Sequence, residues 1–153
     1  MENYALMKKV WTNADFDELD WMGCQIHGMT IVKNRGWCVG DLVFDVDYIV
    51  ETRWEDGPGQ KKWSWIAPAT ITFKEVNIAW MNSIMCDTIS FGWDVLAIDR
   101  LGVSFTSDGV DYYKWQIEME NGTILIDALS LEMVIRRKPI KTSKGYLPAA
   151  VRG

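Results

Sequence analysis

Between Asp41 and Glu51 the chain alternates with a period of two. Leu42, Phe44, Val46, Tyr48 and Val50 occupy one parity; Asp41, Val43, Asp45, Asp47, Ile49 and Glu51 occupy the other. Successive side chains of an extended strand point to opposite faces, so this segment reads as a strand with one strongly apolar face. Asp45 and Asp47 then project side by side from the opposite face.

The same period recurs along the chain. Gln25 to Lys33 reads as a preceding strand, closed by Asn34-Arg35-Gly36 as a hairpin turn. Glu55-Asp56-Gly57-Pro58-Gly59-Gln60 is the clearest loop, and Trp63 to Val76 is the strand after it. Pro68 lies inside that strand and lacks a ladder donor, which predicts an edge or a bulge there. Thr88 to Ile98 and Gly102 to Thr106 follow as strands, closed by Ser107-Asp108-Gly109. A two-residue turn at Asn121-Gly122 would pair Met119 with Ile124, Ile117 with Ile126 and Trp115 with Ala128. Thr123 to Ile135, apolar on nearly both faces, reads as one central strand. Helix signals are poor: Asp15 to Asp20 suits a short capped turn, and Asn77 to Asp87 fits helix or strand. The expectation is an all-β fold, a single-domain antiparallel β-sandwich or small barrel of about 8–10 strands with at most one short helix.

A chain of 153 residues is one domain by size and buries about two-thirds of its unfolded surface. Its nine tryptophans are spread from Trp11 to Trp115, which suits a core built from large rings better than a ligand platform. Residues 136–153 hold six basic and no acidic side chains, leaving ten basic against 21 acidic in the body. We therefore expect a β domain over residues 1–139 and a basic C-terminal tail over residues 140–153, solvated or resting on its own acidic body. The acidic body argues against a nucleic-acid surface. The start of the sequence lacks the apolar core of a signal peptide, and no apolar run is long enough to span a membrane, so the expected location is cytoplasmic.

Fourteen residues, Asp15 to Gly28, concentrate polar chemistry: Asp15, Asp17, Glu18 and Asp20, then Trp21, Cys24 and the only histidine, His27. His27 beside carboxylates is the weak catalytic candidate, a general base without an evident nucleophile, and more simply a structural histidine. Cys24, Cys38 and Cys86 form no C-x-x-C pair; a zinc site would need all three with His27 at unusual spacings. Asp45 and Asp47 repel one another and call for a cation, a lysine or open water nearby. No metal or cofactor is implied, and no phosphate-cradling glycine loop is present.

In order along the chain stand Asp45-x-Asp47-Tyr48-Ile49, the run Trp65 to Val76, Trp115-x-Ile117, Asn121-Gly122, Ala128 and Arg136-Arg137-x-Pro139. On these residues the chain resembles a widespread group of uncharacterised small bacterial proteins, over roughly residues 15–139. That group brings no established activity; it implies bacterial origin and a common fold. Members commonly read Trp-His-Asp where this chain has Trp21-Met22-Gly23, which speaks against catalysis here.

The leading functional expectation is a non-enzymatic protein-binding module, in its most concrete form an immunity-type protein that blocks a toxin. Its acidic face, Asp15, Asp17, Glu18, Asp20, Asp45 and Asp47, would meet a basic protein partner. The alternative is a small-ligand carrier with Tyr48, Trp54, Trp63 and Trp65 lining a pocket. A hydrolase using His27 comes third. Oligomeric state is not encoded in any of these patterns.

Overall fold

The computed structural model describes residues 3–33, 40–83 and 93–152. The architecture is all-β, an antiparallel ten-stranded sheet with one α-helical turn at the C-terminal end. The strands are β1 (Val10–Trp11), β2 (Gln25–Val32), β3 (Gly40–Trp54), β4 (Lys62–Val76), β5 (Ile78–Ser83), β6 (Trp93–Ser107), β7 (Val110–Met119), β8 (Gly122–Ala128), β9 (Ser130–Ile135) and β10 (Ile140–Thr142). Their order is β1-β9-β4-β3-β2-β6-β7-β8-β5, with β10 also on β4. A 3-10 turn, Asn13–Glu18, follows β1, and α1 spans Ala149–Arg152.

The alternating segment forms β3 as its pattern requires. Leu42, Phe44, Val46 and Tyr48 are buried, and they meet the inner face of β4, where Ile71 and Phe73 are buried as well. The sheet curls so that this face opposes β7 and β8. Phe73 on β4 packs edge-on against Trp115 on β7, with ring centroids 5.7 Å apart. Phe16, from the 3-10 turn, adds a second edge contact to Trp115 at 5.1 Å. That turn is held by a reciprocal cap, in which the Thr12 N–H donates to Asp15 Oδ2 at 3.0 Å. Of the tryptophans, Trp21, Trp65 and Trp115 are core residues, whereas Trp54 and Trp80 are exposed.

Several local expectations hold. Asp108 and Gly109 both take positive φ (51° and 76°) between β6 and β7, the mirror-image turn that matches strand twist. Pro68 sits where β9 has ended on β4 and β10 has not begun, so its missing donor interrupts no pair on that edge. The ambiguous segment after Asn77 forms β5 over Ile78–Ser83. The turn at Asn34-Arg35-Gly36, residues 84–87 of that segment, the start of the Thr88 strand, Trp37, Cys38 and Cys86 lie outside the described residues.

Three expectations are corrected. The β7–β8 turn is Glu120-Asn121, one residue earlier than expected, so Met119 pairs with Gly122, Ile117 with Ile124 and Trp115 with Ile126. The shift of two in register leaves every inward residue inward. The Glu120 N–H donates to the Asp94 carbonyl at 3.1 Å, a tertiary bond that the local sequence does not display. The expected strand Thr123 to Ile135 is two strands broken at Leu129, whose N–H donates to the Lys74 carbonyl at 2.9 Å. Its two-sided apolarity arises because β8 pairs with β7 and β9 pairs with β4. The two strands expected between Thr88 and Thr106 are, over the described residues, one strand, β6, bent by register shifts at 95/97, 100/102 and 103/105.

Residues 140–152 rest on the acidic body. Ile140, Lys141 and Thr142 pair with Ile66, Trp65 and Ser64 of β4. Beyond β10 the chain buries Leu147 and the side chain of Arg152.

Candidate functional site

Two neighbouring arrangements bring polar residues together. The first is centred on Asp47, which is 0% exposed. Its partner on β2 is Gln25, and Ile26 pairs with Val46, but Gly28 pairs with Asp45, so His27 is the extra residue of a bulge. A bulge re-aims one side chain, and here it brings His27 Nε2 to 2.9 Å from Asp47 Oδ2. The Leu147 N–H donates to the same oxygen at 2.8 Å, and Arg152 Nη1 donates to Asp47 Oδ1.

Arg152 also reaches Asp45, with Nη2 2.6 Å from Oδ2, and Arg136 Nη2 holds the other Asp45 oxygen at 2.6 Å. Arg136 is anchored in turn on the Ala69 carbonyl at 2.7 Å and Thr70 Oγ1 at 2.9 Å. Burial pushes the Asp45 carboxyl up, but the hydrogen bonds and charges of Arg152 and Arg136 outweigh it and hold the group below its ordinary range. The cation that the Asp45/Asp47 pair calls for is thus the chain's own tail.

The second arrangement is a cleft of about 320 Å³ beside this latch. Its floor is Gly23, Ile49 and Val95. Gly23 takes φ +80° in the turn closed by the Cys24 N–H on the Trp21 carbonyl, and a Cβ there would sit 3.3 Å from Ile49 Cδ1. Val95 is stitched to this turn by two backbone bonds, Gly23 N–H to Val95 O at 2.9 Å and Val95 N–H to Cys24 O at 2.7 Å. One wall carries Lys62 and Ser64 of β4 with Ser143, Lys144 and Gly145 of the tail. The other carries Gln25, Asp94, Leu96 and Glu120, with Met22 at the rim.

The residues singled out in the sequence fall in separate places. Asp15 is bound by Lys8 at 2.8 Å and Glu18 by the same lysine at 3.3 Å, and Asp20 accepts the Met22 N–H at 3.1 Å. The Lys8 and Thr12 hydrogen bonds hold the Asp15 carboxyl below its ordinary range. Asp17 and Glu18 are exposed. Asp47 is covered, so a partner protein meets no carboxylate there while the tail is docked. Tyr48, Trp54, Trp63 and Trp65 stand away from this cleft. Tyr48 and Trp65 are buried, Trp54 stands 61% exposed with Lys62 Nζ 5.9 Å from its ring, and none of the four lines the cleft.

His27 has Asp47 as its side-chain partner beneath the tail. Burial pushes the Cys24 thiol up to about 12, an unreactive state. Among the described residues no group of three or more His, Cys, Asp or Glu side chains is placed to hold a metal ion. Among them, too, no helix is long and apolar enough to cross a membrane.

Sequence reasoning missed the cleft because its lining comes from six separated stretches, at residues 22–25, 49, 62–64, 94–96, 120 and 143–145. It also missed Arg152 as a buried residue, for which the unpaired Asp45/Asp47 charges were the available signal. No family model matches the chain, and neither the curated proteins nor the solved structures contain a match to it.

Proposed function

We propose that this is a non-enzymatic binding protein and that the cleft beside the latched tail receives a small polar ligand. The observation that carries this reading is the construction of the cleft. An apolar floor fixed by backbone bonds is flanked by polar walls, one of them supplied by a tail anchored through Asp47. Binding sites combine apolar lining with a few convergent polar groups, and their volumes begin near ~300 Å³. Met22 and Gly23, where the chain departs from the group it resembles, lie at this cleft. The experiment is a titration with a panel of small metabolites, read by backbone amide NMR. The expected result is a saturable shift of Gly23, Val95 and Gly145 for at least one class. A panel that moves none of these amides would sink the reading.

A second reading, contact with a basic protein such as a toxin, rests on the exposed carboxylates of Asp17 and Glu18. It predicts that Asp17→Asn with Glu18→Gln abolishes capture of that partner while leaving the cleft titration unchanged.

A further inference from the structure

The charges of the cleft are sorted. Lys62 and Lys144 come together because Thr142 pairs with Ser64, which brings the start of β4 and the tail side by side. Asp94 and Glu120 come together because the Glu120 N–H is bonded to the Asp94 carbonyl. One wall is therefore cationic and the other anionic. Among the described residues no ion pair crosses between them. The cations lie against rings instead, Lys62 Nζ 5.9 Å from Trp54 and Lys144 Nζ 5.9 Å from Tyr146. Among the described residues the Asp94 carboxylate accepts from neutral Gln25, whose Nε2 stands 2.8 Å from Oδ1.

Opposite charges that line one cavity without meeting leave a field directed across it, and a dipolar solute aligned with that field gains at both ends. A purely anionic or cationic solute gains at one wall and is repelled at the other. Resting on the reading that the cleft is the binding site, we propose that its ligand is a small zwitterion. The carboxylate turns toward Lys62 and Lys144, the ammonium toward Asp94 and Glu120, and an apolar body covers Ile49 and Val95.

Isosteric probes test this: 6-aminohexanoate and L-leucine as zwitterions, hexanoate and hexylamine as single charges, titrated against the full chain at low and high salt. Because the four charged groups are solvent-accessible, each ion pair adds a modest factor. The zwitterion that fits is expected to bind about fivefold tighter than either single-charge probe, with the margin shrinking in high salt. Lys144→Glu should weaken the zwitterion and hexanoate while leaving hexylamine equal or tighter, and Glu120→Lys should do the reverse. Both positions are surface side chains, and an unchanged amide spectrum away from the cleft confirms the fold. Single-charge probes that bind in the cleft as tightly as both zwitterions would overturn this inference while keeping the cleft as a site. Cleft amides that respond to no probe would overturn the inference here; only silence across the wider metabolite panel would remove the cleft itself.

Discussion

Arg152 donates to Asp47 across 105 residues of chain, closing the C-terminal helical turn onto the middle of β3. The carboxylate is fully buried and the arginine nearly so, and Leu147 and His27 occupy the remaining oxygen. Removing one partner of such a pair leaves an uncompensated buried charge, which typically costs ~3–5 kcal/mol. Here the tail can lift away and let water reach Asp47, so the cost falls first on tail docking. Arg152→Ala should therefore speed hydrogen exchange at the Leu147 amide far more than at Phe73 or Ile117. Equal acceleration everywhere would show that the tail and the sheet unfold as one unit.

Acid should open the same latch. The folded Asp45 carboxyl lies below its ordinary value because Arg152 and Arg136 outweigh the effect of burial. The unfolded state therefore binds the proton more tightly, and stability rises with pH across this window. The contribution is fully present above the unfolded value of about 3.9 and is lost as pH falls through the lower folded value. The check is the Leu147 amide by NMR between about pH 5 and pH 2. Asp45→Asn should remove the part of the transition that belongs to this group; a transition of unchanged size would assign it elsewhere.

The tryptophans should divide sharply. Trp115 has no exposed surface and meets Phe16, Phe73 and Tyr113, so Trp115→Ala should cost ~3–5 kcal/mol in chemical denaturation. Trp54 stands at the exposed end of the β3–β4 hairpin, and Trp54→Ala should lie within about 0.5 kcal/mol of the parent. A large loss at Trp54 would mean that its surface is covered by something in solution.

What the sequence made legible was local. The parity of Leu42 to Val50 specified β3, and Asp108-Gly109 specified the β6–β7 turn, because strand period and left-handed φ are properties of a few adjacent residues. The Asn121-Gly122 signal placed the β7–β8 turn one residue late, because the competing bond from Glu120 goes to Asp94 on another strand. The break at Leu129 has the same origin, an N–H taken by Lys74 of β4. The candidate site was least legible. Asp45 and Asp47 announced that a cation was needed, but nothing in their neighbourhood pointed to Arg136 and Arg152. Such pairings depend on how the tail crosses β4, a long-range outcome that no short pattern encodes.

The latch and the cleft share one segment: Lys144 and Gly145 line the cleft, while Leu147 and Arg152 hold Asp47. A ligand that contacts the docked tail binds that state in preference to the undocked one, and linkage then makes each event strengthen the other by the same factor. A zwitterion that saturates the cleft should slow exchange at the Leu147 amide, a group that the ligand does not touch. Reciprocally, Arg152→Ala should raise the apparent Kd by the reciprocal of the fraction of molecules whose tail stays docked. In a variant whose tail is fully undocked, the loss of affinity should equal the factor by which saturating ligand slows exchange in the parent. An Arg152→Ala protein with a released tail and undiminished affinity would show that the tail wall contributes nothing to the site.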